Sequence, residues 1–296
     1  RLEKTSSRLV MTATLVELFK KTEATEIGII VNLSLGQLQS KFDRLEFNLA
    51  EKMVMRAIGE TVGIDVSEVK KEYKSLGDIG ATIEKLRVDH ENSKLSVKEV
   101  FEKLRVIAED VGQGSQERKT FGLAKLLGEI DGLSAKFIAR MVVGKLRLGF
   151  SDMTILDALS WMEVGDKSKR KDLEQAYQYR PDVARLAELI KEKGIDQAVK
   201  SVKVELGVPV VPALAQRLKT ADEMIKKMGK VAVEPKFDGT RVQIHFRRKA
   251  VSGWHIKTFT RNLDETTEMF PELVEMGDYL NVDEVILDSE GIAYDS

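Results

Sequence analysis

Leu9, Ala13, Val16 and Phe19 recur at the three- and four-residue spacing that lines one side of an α-helix, and Val183, Leu186, Ala187 and Ile190 repeat that spacing much further along the chain. No long apolar-polar alternation appears before Val208. Of the five prolines only Pro181 lies before about Glu205, and proline is excluded from helix interiors. The pattern therefore predicts roughly eight or more amphipathic helices over residues 1–205. Breaks between them are expected where turn-forming and polar residues gather, near Asp89 to Lys94, Gly112 to Ser115, Gly149 to Asp152 and Gly165 to Ser168. There is no internal repeat, which disfavours a solenoid.

After Gly207 the pattern changes. Val208 to Val211 is β-branched and interrupted by proline, Ala221 to Met228 reads as a short helix, and strands follow. From Arg241 to Arg247 the residues alternate: Val242, Ile244 and Phe246 point to one face, Arg241, Gln243, His245 and Arg247 to the other. That is a strand half buried against a core. Ser252 and Gly253 predict the turn of a hairpin returning from about Trp254 to Phe259, and Val285 to Leu287 makes a third apolar run before Asp288, Ser289 and Glu290. The fold class predicted is multidomain: an all-α region over 1–205, then an α+β region with an antiparallel sheet over 206–296.

Composition changes this picture mainly by subtraction. At 296 residues the chain can hold two separate cores. It has no cysteine, which removes disulfides, thiolate metal sites and a thiol nucleophile; only His90, His245 and His255 offer imidazole, so a catalytic metal would be held mainly by oxygen. On the strands, His245 and His255 are expected to face solvent without a function. No apolar run approaches the roughly 18 residues of a membrane span, and the start lacks a signal-peptide layout, so a cytoplasmic protein is expected. A net charge of -1 does not announce nucleic-acid binding, leaving a local basic face as the route to it. Arg1 in place of methionine points to a partial sequence.

The sharpest chemical signal is Glu234-Pro235-Lys236-Phe237-Asp238-Gly239-Thr240-Arg241, expected between a strand ending at Val233 and the strand from Arg241. A lysine at such a junction becomes a nucleophile when desolvation and neighbouring positive charge deprotonate it, and an amine attacking phosphorus gives a phosphoramidate. Gly239 would let the backbone approach a nucleotide, Arg241 offers a planar donor fork for ribose or phosphate, and Glu234 can accept from a purine amino group. The plain alternative is a turn shaped by Asp238 and Gly239, with Lys236 merely solvated. Arg261 has its own plain alternative, pairing with Asp264 or Glu265.

Followed by Val242-Gln243-Ile244-His245, this octapeptide resembles the nucleotide-attachment motif of ATP-dependent DNA ligases, of the archaeal and eukaryotic type. Phe259-Thr260-Arg261-Asn262 resembles the family's second motif and Ile286-Leu287-Asp288-Ser289-Glu290 its third, in the family's order. Gly144 to Gly149, Thr154 to Leu159 and Gly112 to Ser115 are similar to parts of its helical DNA-binding domain, and Pro209 to Leu214 to the start of its catalytic domain.

The resemblance implies a helical DNA-binding domain over 1–205 and the first part of an adenylation domain over 206–296, incomplete at its C-terminus. It implies ATP and Mg²⁺ as cofactors. Lys236 would be the catalytic nucleophile, and Glu234, Arg241, Arg261 and Glu290 would bind nucleotide, with Asp238 and Gly239 positioning. Glu290 would also lie at the metal. Gly114, Ser115, Arg118 and Arg147 are the candidate DNA contacts, since glycine-flanked loops present backbone N–H groups to phosphate. The implied partners are nicked double-stranded DNA and a sliding clamp, with no membrane, for a monomer. Two rival readings stay open: another covalent nucleotidyltransferase, either an RNA ligase or an mRNA capping enzyme, and a non-catalytic DNA-binding fragment.

Overall fold

Helix boundaries in this chain follow its small polar residues and glycines. A computed structural model describes residues 1–87, 95–146, 148–213, 215–249 and 253–292. Its α-helices begin with α1 (Arg8–Lys21), α2 (Ala24–Leu35), α3 (Glu51–Val62), α4 (Val66–Leu76), α5 (Ile79–Leu86) and α6 (Val97–Glu109). They continue with α7 (Ser115–Glu129), α8 (Gly132–Val142), α9 (Asp152–Val164), α10 (Arg170–Tyr179), α11 (Val183–Lys193) and α12 (Ile195–Ser201). Asp78 and Asp131 cap α5 and α8 by accepting from Ala81 and Ser134 backbone N–H groups, and Ser96 with Glu99 forms a reciprocal capping box on α6. Gly36, Gly63, Gly77 and Gly165 end α2, α3, α4 and α9 in the left-handed conformation that favours glycine. The predicted breaks at Gly112 to Ser115 and Gly165 to Ser168 are loops; that near Asp89 to Lys94, with His90, lies outside the described residues, as do Arg147, Leu214 and Ser252.

Two compact units emerge: residues Arg1–Glu174 with Asp182–Ser201, and Gln175–Pro181 with Val202–Ser296. In the first, α3 packs on α7 and α5 on α8 around Val54, Ile58, Ile83, Leu104, Leu123 and Leu127, all fully buried. Alongside, α1 packs on α9 and α2 on α11. Val183, Leu186, Ala187 and Ile190 are buried as their spacing predicts. On α1 the buried stripe is Met11, Thr12, Leu15, Val16 and Phe19, while Leu9 stays exposed. Apolar residues run nearly all round α1, so the partner helix, not the pattern, selects its inner face. Lys119 of α7 is buried and donates to the carbonyls of Phe47 (2.9 Å) and Ala108 (3.1 Å), placing a cation on the last turn of α6, where helix carbonyls favour it.

The second unit holds α13 (Ala221–Met228), α14 (Leu273–Met276) and an antiparallel sheet of β1 (Thr240–Arg248), β2 (Trp254–Thr260) and β3 (Glu284–Gly291), in the order β2-β1-β3. Val242, Ile244, Phe246 and Trp254 close one face over Leu273, as the alternation predicts. Burying a side chain such as Phe246 stabilises the unit by about 1.5–3 kcal/mol. The strand expected before Lys236 is absent: 231–237 is irregular and Val233 is 90% exposed. A strand needs a ladder partner, and 231–237 pairs with neither outer edge of the sheet, on β2 or β3, among the described residues. No helix among the described residues is long and apolar enough to cross a membrane.

Candidate active site

Residues directly opposed in an antiparallel ladder share a face, so the register assembles the polar side of the sheet from three strands. Arg241, Gln243, His245 and Arg247 of β1 stand opposite Glu290, Asp288, Ile286 and Glu284 of β3, and Gln243, His245 and Arg247 stand opposite Phe259, Lys257 and His255 of β2.

Arg241 grips the Asp288 carboxylate with two nitrogens, Nε to Oδ1 at 2.8 Å and Nη2 to Oδ2 at 2.5 Å. This pairing, helped by the nearby Glu290 and Glu234 charges, raises the guanidinium pKa further above its ordinary range. Arg241, Asp288 and Arg261 line one cleft together with Pro209, Val210 and Pro212. Arg261 sits in the turn after β2, exposed and without an ion pair among the described residues; Glu265 takes Lys257 instead, at 3.0 Å. The turn is tied by Thr260 N–H to the Asp264 carbonyl (2.9 Å) and by Leu263 N–H to the Thr260 carbonyl (2.9 Å), with Leu263 buried at φ 74°.

Glu234, Lys236 and Asp238 lie exposed on the loop leading into β1, outside the lining of that cleft. Among the described residues the Lys236 Nζ reaches only the Phe237 carbonyl, at 3.5 Å. Gly239 donates its N–H to Glu290 Oε1 at 3.2 Å, and a Cβ there would stand 2.5 Å from the Gly291 carbonyl oxygen. Its missing side chain is thus used for close approach to β3, where sequence reasoning invoked approach to a nucleotide. No three His, Asp or Glu side chains converge to cage a metal among the described residues. Mg²⁺ needs no such cage: one or two carboxylates plus substrate phosphates and water suffice, which the Glu290 carboxylate fits.

The solvent-facing reading of His245 is overturned. Its ring is 2% exposed, packs edge-on to Phe259 at 5.1 Å, and accepts the Gly207 N–H at Nδ1 (3.0 Å). Nε2 lies 3.0 Å from Gln243 Oε1, so the Nε2–H tautomer satisfies both contacts. Burial, with the Lys257 charge alongside, lowers its pKa from 6.5 to about 4. Gln243 in turn accepts from Val210 N–H (2.7 Å) and donates to the Val210 carbonyl (3.1 Å). The physical reason is the segment 207–210, which lies over this face; alternation alone predicts an open one. His255 is exposed as expected. Asp288 and Gln243 are the functional candidates that sequence reasoning left without a role; only the cross-strand register places Asp288 near Arg241.

In the helical unit, Gly114 (φ 78°) is the N-cap of α7 and Ser115 its first residue. Arg118 pairs with both Asp110 oxygens, at 2.9 and 2.6 Å, and donates to the Gln113 carbonyl at 2.9 Å, bracing the loop before α7. Arg147 lies outside the described residues.

Two family models match this chain: "DNA ligase N terminus" over residues 1–160 and "ATP dependent DNA ligase domain" over residues 212–296. Among curated proteins it is 41% identical to "DNA ligase 2" of Thermofilum pendens over 307 residues, covering 99% of this chain and 50% of the relative. It is 38% identical to the "Probable DNA ligase" of Dictyoglomus turgidum, covering 99% and 50%. With the "DNA ligase" of Sulfolobus acidocaldarius the identity is 37%, covering 100% and 51%. The chain spans about half the length of the curated relatives it matches.

Proposed function

The chain belongs to the ATP-dependent DNA ligase family, and from that premise we propose that the whole protein seals nicks in duplex DNA through a lysine-bound AMP on Lys236. The observation that carries this reading is that Arg241, Asp288 and Arg261 meet around one recess of about 10 Å³ on the polar face of β1, at the end of the strand that the Lys236 loop enters.

In the first step the neutral Lys236 amine attacks the α-phosphorus of ATP, the bond to the β-phosphate oxygen breaks, pyrophosphate leaves, and the amine loses its proton. A 5′-phosphate oxygen at the nick then attacks the same phosphorus and releases the lysine. Finally the 3′-hydroxyl attacks the activated 5′-phosphorus, AMP leaves, and the strand is continuous. Each is an in-line displacement whose barrier falls when fixed positive charge faces the developing oxyanion. Arg261, exposed at the cleft and without an ion pair among the described residues, supplies such charge directly. Arg241 orients nucleotide while its Asp288 partner holds the fork in plane. Glu290, whose carboxylate accepts the Gly239 N–H, would hold Mg²⁺, which when bound would neutralise phosphate charge. Glu234 and Asp238 flank the lysine to recognise the base and orient the loop. Gly114, Ser115 and Arg118, with Arg147, would contact DNA phosphates from the helical unit.

The test is the intact mass of this chain after incubation with ATP and Mg²⁺, alongside Lys236→Ala. AMP bound covalently to the unaltered chain and absent from the variant is the expected result. Adduct on both proteins removes Lys236 from its role. Adduct on neither, with affinity for nicked duplex retained, would leave a DNA-binding fragment without transfer chemistry.

A further inference from the structure

Gly207 to Pro212 crosses the polar face of the sheet as a strap, and two side chains of β1 hold it there. His245 Nδ1 accepts the Gly207 N–H at 3.0 Å, and Gln243 pairs with both backbone groups of Val210, at 2.7 and 3.1 Å. The Nε2–H of His245 points at Gln243 Oε1, 3.0 Å away, so each side chain locks the orientation of the other. The strap is also one wall of the cleft that holds Arg241 and Arg261, through Pro209, Val210 and Pro212. Two proline rings make it stiff, so moving its anchors shifts the wall as a piece.

We propose that Gln243 and His245 are positioning residues that latch this strap and thereby set how far the recess of about 10 Å³ opens around Arg241 and Arg261 to admit nucleotide. The inference rests on the nucleotide reading above. Gln243 also lines the cleft, whereas His245 does not, so the His245 variants test the strap free of any direct contact with nucleotide. Charge does not hold the latch: the cations facing His245 are Lys257, paired with Glu265, and Arg247, paired with Glu284, and β3 presents Ile286.

The strap gives a direct readout because Pro209 and Pro212 have no N–H. Among residues 207–212 only four amides can exchange with solvent: Gly207 and Val210 on the latch, Val208 bonded to Glu205, and Val211 bonded to Gln178. Hydrogen exchange would be compared in the unaltered chain, Gln243→Leu, His245→Leu and His245→Asn. The asparagine oxygen falls near the position of Nδ1 and can still accept the Gly207 N–H. Binding of α,β-methylene-ATP with Mg²⁺, which cannot transfer AMP, would be measured on the same four proteins. Expected are Gly207 and Val210 amides exchanging about tenfold faster in the leucine variants, the consequence of losing one hydrogen bond, with β1 amides unchanged. Binding weakens by a similar factor, and His245→Asn restores both at Gly207.

Unchanged exchange in both leucine variants would overturn the latch. Faster exchange with undiminished nucleotide affinity would overturn the strap as a wall of the site. If the unaltered chain binds no analogue, the nucleotide reading fails and the wall assignment with it, while exchange still decides separately whether the latch exists. General loss of protection across β1 in both leucine variants would mark a merely structural role, unless His245→Asn restores protection and affinity together.

Discussion

At the scale of single residues, His245 carries the clearest energetic signature. Its folded pKa of about 4 lies below the ordinary 6.5, so between those values the unfolded chain binds the extra proton and the folded one does not. The stabilisation is therefore fully present above about pH 6.5 and is lost as pH falls towards 4, a swing on the order of 3 kcal/mol. Urea titrations at pH 7.5 and 4.5 should show this loss in the sheet unit and a much smaller one in His245→Asn. An equal pH dependence in both proteins would remove His245 as its source. Gly239→Ala addresses a contact instead. The added carbon would press on the Gly291 carbonyl oxygen at 2.5 Å and on Glu290 Cγ at 2.9 Å, backbone on one side and a carboxylate side chain on the other. Overpacking of this kind costs roughly 1–3 kcal/mol, and a lower melting temperature with a lower yield of AMP adduct is expected. An unshifted melting temperature would mean that β3 yields freely.

At the scale of elements, α7 illustrates how a buried charge organises a bundle. Lys119 reaches from α7 to the Phe47 carbonyl and to the Ala108 carbonyl in the last turn of α6, joining three segments through one ammonium. Lys119→Met keeps much of the volume and strands both acceptors, at about 1–3 kcal/mol for a buried group left unsatisfied. The urea midpoint of the helical unit should fall accordingly; a rise would show that the cost of burying the ammonium exceeds what its two hydrogen bonds return. The sheet makes the complementary point. Every apolar position of β1 was readable from period-two alternation, β2 from the turn signal before it, and the core of β3 from its apolar run. The irregular path of 231–237 was not, because strand propensity at Val231 and Val233 makes a strand only where a distant edge pairs with it.

At the scale of the whole chain, a net charge of -1 means that the proposed affinity for DNA would have to come from local arrangement, which salt dependence measures. Arg118 is the informative position because its guanidinium already braces the loop through Asp110 and Gln113. If it also touches a phosphate, Arg118→Ala should reduce the slope of log affinity for nicked duplex against log salt by about 1. A weaker affinity with an unchanged slope would assign Arg118 to loop support alone. Both outcomes are readable from one titration series of the two proteins.

What the sequence determined by itself was whatever depends on local periodicity and on the order of motifs: the helical region, the alternating strand, the breaks at Gly112 to Ser115 and Gly165 to Ser168, and the lysine motif with its two successors. These are legible because a helix or strand shows its period in neighbouring residues, and because linked chemistry needs particular side chains in a particular order. The tertiary structure alone decided which face of α1 is buried, which carboxylate meets Arg241, why Gly239 lacks a side chain, and that His245 is enclosed. Each depends on a segment distant in the chain coming within hydrogen-bond or van der Waals reach. Asp288 is 47 residues from Arg241, and Gly207 is 38 from His245. Alternation along β1 states that a polar face exists; only the strap laid across it decides that part of this face is interior.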